Sequence, residues 1–161
     1  DEVPKDPATE ATRKRRLDEL ATFLATADAT RGKALFHAQT SLCISCHTKG
    51  PKGVAFGPDL TMIGAIRSER DLLEAIVYPS SSIARYYELL TVKTTNGDKV
   101  GLLARDTVDK LVLAPGPGVE QPIALQDIKS AKYANTSMMP EIFDTLLKPQ
   151  EIADIVKYLK N

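Results

Sequence analysis

The apolar positions along this chain change period twice. Residues 1–12 (DEVPKDPATEAT) are polar, hold two prolines and show no apolar repeat, so a flexible tail is expected there. From Arg13 onward, Leu17, Leu20, Phe23 and Leu24 recur at spacings of three and four, which predicts a short helix with one apolar stripe. Thr30 has the chemistry of an N-cap for a second helix, on which Gly32, Leu35 and Phe36 share a face. Residues 49–58 (KGPKGVAFGP) are too rich in glycine and proline for a regular element. Ser68 then predicts the start of a helix that buries Leu72, Leu73, Ile76 and Val77 and stops at Pro79.

From Tyr86 the pattern becomes that of strands. Tyr86 to Thr94 is dense in β-branched and aromatic residues, and Asn96-Gly97 signals a tight hairpin into Lys99 to Ala104. Leu111 to Ala114 and Ile123 to Leu125 flank a second turn at Pro115 to Gly118, giving a meander of four or five strands. The end returns to helix: Pro149 sits near a first turn, and Ile152, Ile155, Val156 and Leu159 fall at i, i+3, i+4 and i+7. No internal repeat is visible.

Charge changes this picture little. Twenty-one basic residues balance 21 acidic ones, so the total favours neither nucleic acid nor an anionic membrane. The basic run Arg13 to Arg16 reads as the solvated end of a helix rather than a nucleic-acid patch. No stretch approaches the roughly 18 apolar residues that span a bilayer, and no signal-peptide hydrophobic segment is present. A chain starting at Asp1 is expected to be processed or excised, so a removed export signal is compatible with it.

The chemistry concentrates in Cys43-Ile44-Ser45-Cys46-His47, the attachment pattern of a c-type haem. Two thiols about one helical turn apart can reach two vinyl groups on one edge of a porphyrin, while the adjacent imidazole swings under the iron. A thioredoxin-like pair, a structural disulfide and half of a zinc site compete with this reading. A redox pair should follow a strand and open a helix, whereas this motif follows a helix and precedes a Gly/Pro loop. A zinc site needs four ligands, and the only other histidine is His37, with no further cysteine. For a sixth iron ligand the sequence offers Met62, Met138, Met139 and His37. Met139 is the choice, because Pro140 restricts its backbone to an extended form in a loop ahead of the last helix. Met138 is then a core or rim residue.

With these pieces in place the chain resembles a class I c-type cytochrome, and within that group the haem-binding domain of planctomycete and verrucomicrobial proteins. The matching segments are Arg31 to Phe36, Gly57-Pro58-Asp59-Leu60, Ser137 to Glu141 and Glu151 to Leu159, within residues 31–161. The resemblance implies a mainly α cytochrome c fold with an inserted small antiparallel β meander or barrel, α+β overall. A single domain would cover 13–161, with the insertion at about 86–133. It implies one covalent haem c held by Cys43 and Cys46, with iron ligated by His47 and Met139. Pro58 would accept the free ring N–H of His47, Leu60 would contact the haem, and Arg67 would neutralise a propionate. Gly32 and Phe36 would mark where the N-terminal helix crosses the last one, near Ile155 and Tyr158. Two positions depart from the family: Met138 stands where leucine is frequent, and Ile142 where glycine is.

By the same resemblance the function is electron transfer to or from a redox partner protein, a dehydrogenase or a terminal acceptor, and the place is the periplasm or its equivalent. A haem-based gas or redox sensor with a displaceable sixth ligand is the alternative, and a haem peroxidase a third. No enzyme is expected. The strand insertion holds no histidine, cysteine or nucleophile constellation and reads as an accessory, either a structural cap or a docking surface beside the haem edge.

Overall fold

The computed structural model describes residues 6–161. Helix α1 (Pro7–Ala21) begins inside the stretch expected as a tail, because Asp6 caps it: its carboxylate accepts from the N–H groups of Ala8 and Thr9, and Pro7 occupies the first turn without wasting a donor. Residues 1–5 lie outside the described residues. Leu17 and Leu20 are the buried face of α1. Helix α2 (Ala29–His37) starts two residues earlier than a Thr30 cap would give, with Asp28 as its cap and a 2.7 Å bond from the Arg31 N–H.

Two short strands, β1 (Thr48–Lys49) and β2 (Lys52–Gly53), pair across the Gly/Pro loop. After the single turn of α3 (Ile63–Ile66), helix α4 (Glu69–Val77) opens on a reciprocal cap. Ser68 Oγ accepts from Asp71 N–H at 3.1 Å, and the Asp71 carboxylate accepts from Ser68 N–H at 3.0 Å.

Five strands follow: β3 (Glu88–Thr94), β4 (Gly97–Asp106), β5 (Lys110–Gly116), β6 (Val119–Ala124) and β7 (Ile128–Ser137). They form one antiparallel sheet in the order β6-β5-β4-β3-β7, with β6 and β7 at its edges. The first hairpin closes at the Thr94–Gly97 pair, where Gly97 adopts φ 105°, a left-handed angle that a side chain would strain. Helices α5 (Phe143–Leu146) and α6 (Pro149–Lys160) end the chain.

The helices share one core, which includes Leu20, Phe36, Leu73, Ile152, Ile155 and Val156. The sheet has a second, formed by Leu90, Val92, Leu113 and Ile123. Helices α2 and α6 cross at Gly32, where an added Cβ would overlap the Asp154 carbonyl. Phe36 and Tyr158 meet beside that crossing with ring centroids 5.6 Å apart. A carboxylate locks it: Asp154, only 2% exposed, accepts from Arg31 at 2.7 and 2.8 Å and from the Asp28 N–H at 2.8 Å. Burial alone would raise the Asp154 carboxyl, but these bonds and one from Gln150 outweigh it and leave the group below the usual carboxylate range.

One expectation is corrected here. The chain is not a mainly α fold of the class I cytochrome c kind. Among the described residues helix accounts for 43% and strand for 28%, and the five-stranded sheet with its own core makes the architecture α+β. The physical reason is that the strands bury apolar surface of their own and so form a second packing layer. The sheet also extends past Tyr133, since β7 runs to Ser137 and delivers the chain directly to the Met138-Met139 loop.

Candidate functional site

The CxxCH segment is a tight turn rather than a helix. Leu42 adopts φ 63°, which turns the chain out of the preceding helical turn, and Cys43–Ser45 forms a single 3-10 turn. The Cys43 carbonyl accepts from the N–H groups of Cys46 at 3.2 Å and His47 at 2.9 Å. The following loop wraps round this turn: the Cys46 carbonyl accepts from Phe56 N–H at 3.1 Å and Gly57 N–H at 2.6 Å, and the Thr48 carbonyl from Leu60 N–H at 2.8 Å. The irregular segment is therefore fixed by backbone bonds to the motif.

His47 is oriented by that loop. Its Nδ1 lies 2.8 Å from the Pro58 carbonyl oxygen. A carbonyl can only accept, so Nδ1 carries the proton and Nε2 keeps a free lone pair. Gly57 presses on the ring, where a Cβ would sit 2.7 Å from Cε1 and 3.0 Å from Nδ1. Burial pushes the His47 imidazole below the ordinary histidine value, against the opposing pull of the Pro58 carbonyl, so the neutral ligand form is favoured. Burial likewise raises both thiols, Cys43 and Cys46, and the two are unpaired.

The seven residues expected to hold a haem line one cavity of about 400 Å³: Cys43, Cys46 and His47 with Pro58, Leu60, Arg67 and Met139. Met138 lines it as well. Met139 packs against the helical core, and its N–H donates to Ser137 Oγ at 3.1 Å. Leu60 packs there too, whereas Arg67 is exposed and its charge helps hold the Asp71 carboxyl down, after the hydrogen bonds from Ser68.

Two candidates lie elsewhere. Met62 is 66% exposed and is not on the cavity wall. His37 is also off the wall; its Nε2 meets the Tyr158 hydroxyl at 3.2 Å and its ring packs edge-on to Phe36.

The sequence reading missed part of the wall. Ser81 to Ala84, in the loop after α4, Tyr87 at the start of the strands, and Leu102 of β4 all face the cavity. Pro79 followed by three serines marked a loop, but nothing local showed that the loop would fold back over the site. Which face of β4 meets the helices is likewise a tertiary fact. The sheet is consequently part of the site and not only an accessory to it.

The cavity falls in the volume range of cofactor pockets, about 300–1,000 Å³, and is mainly apolar, as such pockets are. A haem c would find two unpaired thiols, a neutral imidazole with its free nitrogen defined, and two thioethers on the wall, so the donor set fits that group. Among the described residues no three His, Cys, Asp or Glu side chains gather to hold a metal ion, so the pair of cysteines has no partners for a zinc site. Among the described residues no helix is long and apolar enough to cross a membrane. No protein-family model matches this chain, and no curated protein matches it significantly.

Proposed function

We propose that this chain is a mono-haem c-type cytochrome that transfers electrons. The observation that carries the reading is the convergence of Cys43, Cys46, the Pro58-oriented His47 and Met139 on one apolar cavity. When bound, the haem supplies the one-electron ferric/ferrous couple. The protein's part is to hold and tune it: Cys43 and Cys46 attach it through thioethers, His47 offers Nε2 and Met139 a thioether sulfur, a pairing that raises the potential and suits electron transfer. Pro58 fixes the imidazole and strengthens its donation. Leu60 would supply apolar wall to the bound group and Arg67 would offer a cation to one of its propionates.

The reading extends to a redox partner protein, a dehydrogenase or a terminal acceptor, and to a location in the periplasm or its equivalent, where haem c is attached. The sensor alternative requires a methionine that leaves readily. Acid-acetone extraction separates the claims first: the colour stays with the protein if haem is covalent, and haem that extracts freely from wild type sinks the proposal. Met139→Ala should then abolish the weak far-red methionine-to-iron band of the ferric state and lower the potential, while Met138→Ala preserves both. A reduced wild-type protein that binds carbon monoxide readily would favour the sensor.

A further inference from the structure

Two adjacent methionines face the same cavity, and a slip of one residue along the loop would exchange them. Something must set which sulfur is presented. Strand β7 ends at Ser137, which pairs with Glu88 across a bulge, since the next pair inward is Leu89 with Ala134. The Ser137 N–H donates to Ser80 Oγ at 3.1 Å, and the Ser137 Oγ accepts from Met139 N–H at 3.1 Å. The second bond is a serine turn, in which the side chain replaces a backbone acceptor two residues on.

This relay holds the loop from both ends. Ser80 belongs to the segment after α4 whose next residues, Ser81 to Ala84, form part of the cavity wall. Its neighbour Pro79 is buried and Ser81 N–H bonds the Tyr78 carbonyl at 2.9 Å, so the anchor is itself fixed. On the far side Pro140 disfavours a helical backbone at Met139, which the chain passes through as a bend. Met139, and not Met138, is the thioether packed against the helical core.

Resting on the haem reading above, we propose that Ser137, seated on Ser80 and held by the sheet, is the positioning residue that presents Met139 rather than Met138 to the iron. The five-stranded sheet thereby acquires a role in ligand choice, through the ladder pair Glu88–Ser137.

The test uses the haem-loaded protein and counts ligated methionines. In the reduced state a single loop register gives one ε-methyl NMR signal shifted far upfield by the porphyrin ring current, and mixed registers give two. Ser137→Ala removes a hydrogen bond of ordinary strength, which shifts the register equilibrium toward Met138 roughly 2- to 12-fold. Expected is a second upfield methyl signal, or a weakened far-red ferric band, in Ser137→Ala and to a lesser degree in Ser80→Ala. Ser137→Thr keeps the hydroxyl and should retain the single signal. In the double variant S137A/M138A only one methionine is left in the loop, and the single signal should return. A Ser137→Ala protein with one unshifted signal and an unchanged potential overturns the assignment. So does equal damage in Ser137→Thr and Ser137→Ala, because packing and not the hydroxyl would then be responsible. A wild-type protein with covalent haem but no methionine signal sinks the ligation reading itself, and is read before any variant is made.

Discussion

Gly32 of α2 lies directly beneath the Asp154 carbonyl of α6, with no room between them for a methyl group. The helix that leads into the CxxCH turn is thus seated on the last helix of the chain, and the Arg31–Asp154 bonds fasten the same crossing from its side. Gly32→Ala must push backbone against backbone, where no flexible side chain can yield. The expected cost is about 1–3 kcal/mol, at the scale of overpacked cores. Denaturant unfolding should show a lower midpoint at unchanged slope. An unchanged midpoint would mean that the crossing relaxes freely.

A second glycine governs the imidazole. A Cβ at Gly57 would meet the His47 ring at 2.7 Å, so Gly57→Ala must tilt the ring or lengthen its bond to the Pro58 carbonyl. Loss of such an outer partner typically weakens metal binding about 10- to 100-fold. Because the thioethers would still retain haem, the expected outcome is not loss of colour but a ferric spectrum with an added high-spin component and a changed potential. A spectrum identical to wild type would show that the Gly57 contact does not constrain the ligand.

Much of this was legible in the sequence, for identifiable reasons. The amphipathic stripes of α4 and α6 are local periodicities, Ser68 with Asp71 is a local cap, and CxxCH is a local spacing, so each could be read from neighbours along the chain. Where the reading went astray, the deciding contact was either a competing cap or long-range. Asp6 caps a helix inside the stretch expected as a tail, and Asp28 takes the cap expected of Thr30. The weight of the sheet was underestimated because the burial of Leu90, Val92, Leu113 and Ile123 against one another depends on strand order, which no single strand announces. Leu102 and Tyr87 reached the cavity for the same reason.

His37 supplies a pH prediction. Its Nδ1 is buried without a partner while Nε2 meets the Tyr158 hydroxyl, so protonation would bury an N–H with nothing to accept it. Burial, and then the nearby charges of Lys52 and Lys33, lower its pKa in the folded protein. The unfolded chain, with an ordinary value of about 6.5, therefore binds the proton first. The stability contribution is complete above that value and is lost as pH falls through it toward the lowered folded value. Thermal midpoints should drop between about pH 7.5 and 5.5 in wild type, and less steeply in His37→Gln, which cannot take up a proton. Parallel pH profiles for the two proteins would remove His37 from the account.

The sheet offers the sharpest separation between a cap and a working part of the site. Treated as an accessory, residues 86–133 could be exchanged for a short Gly/Ser linker with methionine ligation intact. The structure argues otherwise. That exchange deletes Tyr87 and Leu102 from the cavity wall and removes Glu88, the ladder partner of Ser137. It leaves untouched the CxxCH turn, the Pro58 carbonyl and the α2–α6 crossing, all of which lie outside the sheet. Attachment and retention of ligation should therefore part company: the variant is expected to take up covalent haem through Cys43 and Cys46, yet to show a weakened or absent far-red methionine band and to bind carbon monoxide once reduced. The point variant Leu102→Ala tests the wall alone and should shift the spectrum while leaving the ladder in place. Undiminished methionine ligation in the linker variant would return the sheet to the role of an accessory. Failure to attach haem at all would show that the strands are needed for the helical core to form, a result that urea unfolding of the same variant would register independently.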